Sequence, residues 1–393
     1  MVSPPMIDTS YEEDSSVSPR GGKARKNKGS TGFKPVDLDG IPAVEGLLTR
    51  LGLGVFLRDS LKAPIGRNDV WAGPTTVGKD VFVKRLLGSE EDVSSRMRRL
   101  MDFERFSAEL PPGSARSPTL LGSDEKAGIV VYEYLDNTRN AVELVVDESF
   151  DDELSELVGN AMGRLHGTDP GTEVTIDTSE PPQPSVRLLY GLSSSMFENL
   201  SFGELSAWRI MQQDEELIRG VERLREMERR APKVPAHCDL RVDQFLVAED
   251  GLYVTDWEEF RLADAARDVG AFAGEWLHRS VLDIVTSRGD TTFVDTELTH
   301  EKVLERGVTK MRRLLPRVHH FWRGYLGARP SIDEEFESRA TAFAGWHLLD
   351  RLIAAAARTA RLSGIERAAA GVGRAALLTP EKFASTLGFE GAR

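Results

Sequence analysis

Apolar positions along the chain change their period several times, and each change marks an element. Ile41, Val44, Leu47, Leu48 and Leu51 recur at steps of three and four, the signature of one helix face. Residues 63–73 are polar and bounded by glycine, and read as a connecting stretch. Thr75-Thr76-Val77, a Gly78-Lys79-Asp80 turn and the alternating run 81–86 then predict a β-hairpin. Alternation sets Lys84 on the face of Phe82, and Arg85 on that of Val81 and Val83. Ser89 before Glu90, Glu91 and Asp92 is a helix start, and the helix runs to about Leu110 with Met97, Leu100 and Met101 on one face. Glu104 falls on that apolar face. A carboxylate there needs a partner, and Lys84 is the first candidate; the alternative is that Glu104 borders the stripe and points to solvent, with Glu109 as the acid for that lysine.

Pro111-Pro112 closes the helix. Thr119-Leu120-Leu121 and residues 128–135 predict two strands around a polar turn, followed by a hinge at Asp136-Asn137-Thr138. Residues 154–166 are helical and end in Gly163-Arg164-Leu165-His166, where His166 reads as structural. Residues 168–200 are rich in Pro, Ser and Thr and read as a loop insertion. Helical spacing returns at Leu217, Ile218, Val221, Leu224 and Met227, and from Val269 onward the chain is nearly all helical. Arg312, Arg313, Arg317 and Arg323 give basic helix faces there, either solvated or a surface for an acidic peptide. Residues 1–35 combine Ser, Pro, Gly and blocks of charge, the composition of a disordered tail or a docking arm.

Composition narrows the class. The chain has 393 residues, 40% of them hydrophobic, with a formal charge of −13. That length supplies a large core and suggests two lobes. The acidic balance argues against general nucleic-acid binding. One cysteine excludes a disulfide framework and a cysteine-based zinc site. No signal peptide and no apolar run long enough for a bilayer is evident, so the expectation is a cytoplasmic chain without membrane partners.

The chemistry concentrates between His237 and Asp268. His237-Cys238-Asp239-Leu240-Arg241 leads into Val242-Asp243-Gln244, and apolar runs 245–247 and 252–254 flank a Glu249-Asp250-Gly251 turn. Asp256-Trp257-Glu258 follows the second run. The hairpin brings Asp239, Gln244 and Asp256 to one end, and two carboxylates with an amide oxygen are hard ligands suited to Mg²⁺. His-x-Asp-x4-amide followed by Asp-Trp is the arrangement of kinase-like phosphotransferases. The stretch resembles the aminoglycoside phosphotransferase and choline kinase-like family, whose usual string is His-Gly-Asp-Leu-His-x-x-Asn. Asp264 and Asp268 fall where that family carries Gly-Asp-Pro-x-x-Asp-Leu. Gln244 stands for the usual Asn, Arg241 for the second His and Cys238 for Gly.

The resemblance implies an α+β, bilobal, protein-kinase-like fold. Residues 36–135 would form a small β-rich lobe over the nucleotide, and 136–393 a large, mostly helical lobe for catalysis and acceptor binding. It implies ATP and Mg²⁺ as cofactors. Asp239 would orient the acceptor hydroxyl, His237 would brace the loop, and Arg241 would contact a phosphate or the acceptor, or else brace Asp264 or Asp268. Gln244 and Asp256 would hold the metal. Lys84, positioned by Glu104, would pair with phosphates, with Asn68, Glu133 and Leu135 also on the nucleotide side. Trp257 would pack beneath Asp256, and Cys238 would fill space.

Two stretches are more particular: Gly66-Arg67-Asn68-Asp69 with Trp71-Ala72-Gly73, and Asp239-Leu240-Arg241 with Asp243-Gln244-Phe245. They resemble the kinase subunits of class V lanthipeptide and thioamitide synthetases. That resemblance implies phosphorylation of Ser and Thr in a precursor peptide, with lyase and cyclase subunits as partners. A small-molecule kinase for an antibiotic or a sugar, and a pseudokinase scaffold that binds peptide, are the competing readings.

Overall fold

A computed structural model of the chain describes residues 37–63, 67–114, 116–171, 174–288 and 299–389. The tail expected at 1–35 and Gly66 of the Gly66–Gly73 stretch lie outside them. The chain from Pro35 onward clusters as one compact unit.

Helix α1 (Pro42–Arg50) opens the described chain and buries Val44, Leu47 and Leu48, as its spacing predicts. Strands β1 (Asp69–Pro74) and β2 (Asp80–Arg85) pair antiparallel, with Asp69 opposite Arg85. The hairpin thus begins six residues earlier than the sequence suggests, inside the stretch read as a connection. Gly73 marks a close approach rather than a loop, because a Cβ there would lie 3.1 Å from the Ser60 carbonyl oxygen. Helix α2 (Glu90–Ser107) starts on Ser89, whose side chain accepts the Asp92 N–H. Strands β3 (Leu120–Asp124) and β4 (Ile129–Glu133) complete a four-stranded antiparallel sheet in the order β1-β2-β4-β3. One face buries Trp71, Val81, Val83, Ile129 and Val131 against α1. The other sets Leu86 and Val130 against Met97, Leu100, Phe103 and Phe106 of α2. A sheet covered on both faces holds its two central strands, β2 and β4, in fixed register.

The remainder is mostly helical. A short strand β5 (Arg139–Asn140) leads into α3 (Ala141–Val146) and α4 (Asp152–Gly167). The stretch expected as a loop insertion contains α5 (Val186–Tyr190) and α6 (Ser194–Asn199). Its serines are caps: Ser185 accepts the Leu188 N–H and Ser193 the Met196 N–H. Helices α7 (Phe202–Gln212) and α8 (Glu215–Arg230) follow. Strand β6 (Val234–Ala236) pairs with β9 (Arg261–Ala263), and between them β7 (Phe245–Ala248) and β8 (Gly251–Val254) form the expected hairpin.

Helices α9 (Ala266–Leu282), α10 (His300–Leu314), α11 (Pro316–Ala328), α12 (Phe336–Ala356), α13 (Gly364–Leu378) and α14 (Pro380–Leu387) fill the rest. Four tryptophans or tyrosines on or beside them, Trp257, Trp276, Trp322 and Tyr325, are almost wholly buried in this core. The basic faces expected around α10 and α11 are largely neutralised. Arg313 pairs with Glu148 and Asp283, Arg323 pairs with Glu156, and Arg317 donates to the Phe150 carbonyl. Among the described residues no helix is long and apolar enough to cross a membrane.

Candidate active site

The loop after β6 is held from below. His237 and Cys238 give their backbone N–H groups to Asp268 at 2.7 and 2.8 Å. Cys238 is in the left-handed region at φ 68°, which explains why a glycine is usual there in the family it resembles. Asp268 also accepts from His166 Nε2 at 3.0 Å, and His166 Nδ1 meets the Tyr325 hydroxyl at 3.0 Å. Burial alone would raise the Asp268 carboxyl. The His166 hydrogen bond and nearby imidazoles outweigh it and hold the group below its usual range. His166 is structural, as its position suggests.

His237 is wholly buried and donates from Nε2 to the Thr255 carbonyl at 2.9 Å, so it joins this loop to the residue before Asp256. Asp239 follows with its side chain 39% exposed at the loop's tip. Arg241 Nη1 donates to Asp239 Oδ2 at 3.0 Å, Nε donates to Asp243 at 3.1 Å, and Nη2 lies 4.0 Å from Asp256 Oδ2. Arg241 thus spans the two principal aspartates. It braces neither Asp264 nor Asp268, since Asp264 is held by Arg339 at 2.7 Å. The crowding of protein around Asp239 raises its carboxyl; Arg241 and His237 pull it down, while Asp256 and Asp350 push it up. Asp350, on α12, is thus a further carboxylate within electrostatic reach of Asp239, and no sequence motif singled it out.

Gln244 sits in the turn before β7 and is 2% exposed. Its amide oxygen accepts the Arg241 N–H at 2.8 Å, and its Nε2 is buried with no hydrogen-bond partner among the described residues. The Gln244 oxygen expected at a metal is engaged by its own loop in this structure, since the extra methylene lets the amide fold back.

Asp256 is left-handed at φ 71°, a strained conformation for a residue with a side chain. Thr255 fixes it by giving both its N–H and its hydroxyl to the Gln244 carbonyl, at 2.9 and 3.1 Å. Trp257 donates to the Val254 carbonyl and stacks on Phe103 of α2 with ring centroids 3.7 Å apart. It is a core residue, as expected.

The partner expected for Lys84 is also corrected. Lys84 reaches Asp256 and Glu258 (the latter at 2.7 Å), not Glu104. Glu104 meets Tyr132 instead. Burial there raises its carboxyl to about 7, and one of its oxygens has no partner among the described residues. A carboxyl that is half protonated near neutrality is a poor counter-ion for an ammonium, and the fully paired Glu258 takes that role.

Asn68 faces inward rather than toward the cleft. It is 9% exposed, donates to Glu258 at 3.3 Å and accepts from Leu87 N–H and Arg96 at 3.2 and 2.7 Å. Glu133 ends β4, where its N–H goes to the Thr119 carbonyl, and the Leu135 carbonyl accepts from Thr138 at the hinge. The site therefore gathers His237, Asp239, Arg241, Asp256 and Lys84. Sequence reasoning missed Glu258 as a partner, although it adjoins Asp256-Trp257, and missed Arg96, which is wholly buried on α2.

Several solved structures resemble this chain. A choline/ethanolamine kinase family protein from Mesorhizobium loti is 16% identical over 88% of this chain and 100% of that one, with a TM-score of 0.47. An amicoumacin kinase solved with AMP-PNP, Ca²⁺ and its antibiotic is 14% identical over 87% and 96%, also at 0.47. A macrolide 2'-phosphotransferase from Brachybacterium faecium is 15% identical over 86% and 98%, at 0.41. No curated protein matches the chain. The model of the phosphotransferase enzyme family matches residues 67–311, which include Lys84, Asp239, Asp256 and Asp268. The fold is kinase-like, and the chain belongs to the phosphotransferase enzyme family.

Proposed function

We propose that this chain moves the terminal phosphoryl group of ATP to an alcohol, and that the alcohol is a Ser or Thr side chain of a ribosomally made precursor peptide. The observation that carries the phosphotransfer reading is Asp239. It is a half-exposed carboxylate on the loop after β6, bridged by Arg241 toward Asp256, which pairs with Lys84 of the four-stranded sheet. An acceptor hydroxyl bonded to Asp239 can pass its proton there as transfer proceeds, while Lys84 and Arg241 supply fixed positive charge for the phosphates.

Mg²⁺ requires hard oxygen donors. Asp256 is a hard oxygen donor, 22% exposed, and fits. The Gln244 oxygen already accepts the Arg241 N–H and has one lone pair left to offer an ion. Asp256 would therefore hold the ion, with phosphate oxygens and water as further ligands. When bound, the ion neutralises phosphate charge.

A peptide acceptor is supported by the two sequence resemblances and by an open apolar surface on α5–α7. Tyr190, Phe197, Phe202 and Ile210 there are 68, 60, 71 and 46% exposed. Helix α7 packs on the end of α12, the helix that carries Asp350. In this reading a lyase removes the phosphate and a cyclase acts afterward. A small cationic acceptor is the second reading, favoured by the negative charge that Asp350 adds toward Asp239.

Mass spectrometry of a candidate precursor peptide incubated with the chain, Mg²⁺ and ATP, without lyase, decides between them. Phosphate gain that disappears in Asp239→Asn supports the peptide reading. Phosphorylation of cationic alcohols with an inert peptide moves the assignment to the second, and no transfer to any alcohol removes both.

A further inference from the structure

The buried charge chain behind Lys84 is unaccounted for by the reaction as described. Glu258 is 5% exposed and uses both oxygens: Oε2 meets Lys84 at 2.7 Å and Asn68 at 3.3 Å, and Oε1 meets Arg96 at 2.8 Å. Arg96 is wholly buried on α2. Its Nη1 donates to the Leu87 carbonyl at 3.0 Å and to Asp92 at 3.1 Å, and its Nη2 also meets Asn68 at 2.7 Å. One guanidinium therefore joins the segment just after β2, the segment just before β1, and the turn after Asp256. These three segments meet at Lys84. Arg99, one turn on, donates to the Glu258 carbonyl at 2.7 Å and reinforces the same joint.

We propose that Arg96 is a positioning residue for the nucleotide side of the site, setting Lys84 through Glu258, in the place the sequence suggests for Glu104. The inference rests on the nucleotide-dependent reading given above. Three physical points support it. The four hydrogen bonds of the two Arg96 Nη groups favour one arrangement of this buried charge, because displacement breaks several of them at once, although its Nε has no partner among the described residues. The planar fork is a property of arginine that a lysine's point charge lacks. Glu104, with a carboxyl near neutrality and a tyrosine as its partner, cannot hold an ammonium as firmly. Removing Arg96 leaves Glu258 with Lys84 as its one full counter-charge, so the ammonium is drawn inward, away from the phosphates.

The test measures ATP affinity by calorimetry on the full chain with Mg²⁺, beside KM for ATP and for the acceptor, in wild type, Arg96→Met, Arg96→Lys and Glu104→Gln. Arg96→Met should weaken ATP binding at least tenfold with acceptor KM within about twofold. Arg96→Lys should recover only part of the loss, and Glu104→Gln should stay within about threefold at pH 7. If Arg96→Met does not fold, Asn68→Ala removes one bond of the same fork and should give a smaller loss of the same kind. Unchanged ATP affinity in the Arg96 or Asn68 variants, or a larger loss in Glu104→Gln, overturns the proposal alone. Equal losses in ATP and acceptor KM also overturn it, since they indicate general disruption. No ATP binding by the wild type overturns the nucleotide reading and this inference with it.

Discussion

Cys238, at φ 68°, gives its N–H to Asp268 at 2.8 Å, so a strained residue next to Asp239 is held by a carboxylate that arrives 30 positions later. The left-handed conformation costs about 1–2 kcal/mol for a residue with a side chain. Asp268 offsets it by accepting two backbone N–H groups and the His166 imidazole.

Asp268→Ala removes the acceptor for all three donors in a buried setting. Breaking such a cluster typically costs about 3–5 kcal/mol. Urea unfolding should show a loss of that size, and phosphotransfer should fall with it because Asp239 loses its support. The wild-type dependence on pH has a definite sign. The folded Asp268 carboxyl lies below its usual value, so its contribution is present above about pH 4 and is lost as pH falls further. A melting temperature that does not drop below pH 4 in the wild type more than in Asp268→Asn would contradict this.

Asp239→Asn keeps the shape of the loop tip and removes the proton acceptor. Transfer should fall by about 10²–10⁴-fold, with the circular dichroism spectrum unchanged. ATP affinity should hold within a few-fold, since Lys84 and Asp256 remain. Retained transfer would reassign the catalytic base.

Glu104 has the opposite pH sign to Asp268. Its carboxyl is raised by burial to about 7, so the folded state binds a proton that the unfolded state releases. Stability from this group is full below about pH 4.5 and declines as pH rises through 7. Glu104→Gln should therefore gain on the wild type as pH goes from 5 to 8, by about 1–2 kcal/mol after allowance for solvent screening. Chemical denaturation at the two pH values measures it; a constant difference would place Glu104 in water.

Gly159 marks where α4 and α11 touch. A Cβ there would lie 1.9 Å from the Phe321 carbonyl oxygen, which is backbone and cannot turn aside. Gly159→Ala should destabilise by about 1–3 kcal/mol or more, as overpacking does, despite alanine's better helix propensity. A stabilised variant would mean the two helices can separate freely.

Arg241→Lys tests the fork across the aspartates. One ammonium cannot serve Asp239, Asp243 and the approach to Asp256 together. Turnover should fall at least tenfold with ATP affinity changed less, read from kcat against KM. An unchanged kcat would make Arg241 a loop brace.

The elements were legible because local chemistry fixes them. Apolar spacing set α1, α2 and α8, the Ser89 cap set where α2 begins, and alternation put Lys84 on the face away from Val81 and Val83. The order His237, Asp239, Asp256 and Asp268 pointed to the phosphotransferase family whose model matches residues 67–311, because residues that share a loop or a hairpin keep their relation whatever surrounds them. Partners from distant elements were not legible. Lys84 could be matched to Glu104 by pattern, yet Glu258 wins, because Arg96 and Asn68 converge on it 162 and 190 residues away in the chain. The fate of the Gln244 amide, turned onto Arg241 rather than outward, depends on the loop's own closure. Asp350 acts on Asp239 from α12, far along the chain. Sequence determined which groups were available and in what local order; packing decided which charges met, because burial makes an ion keep the partners that surround it.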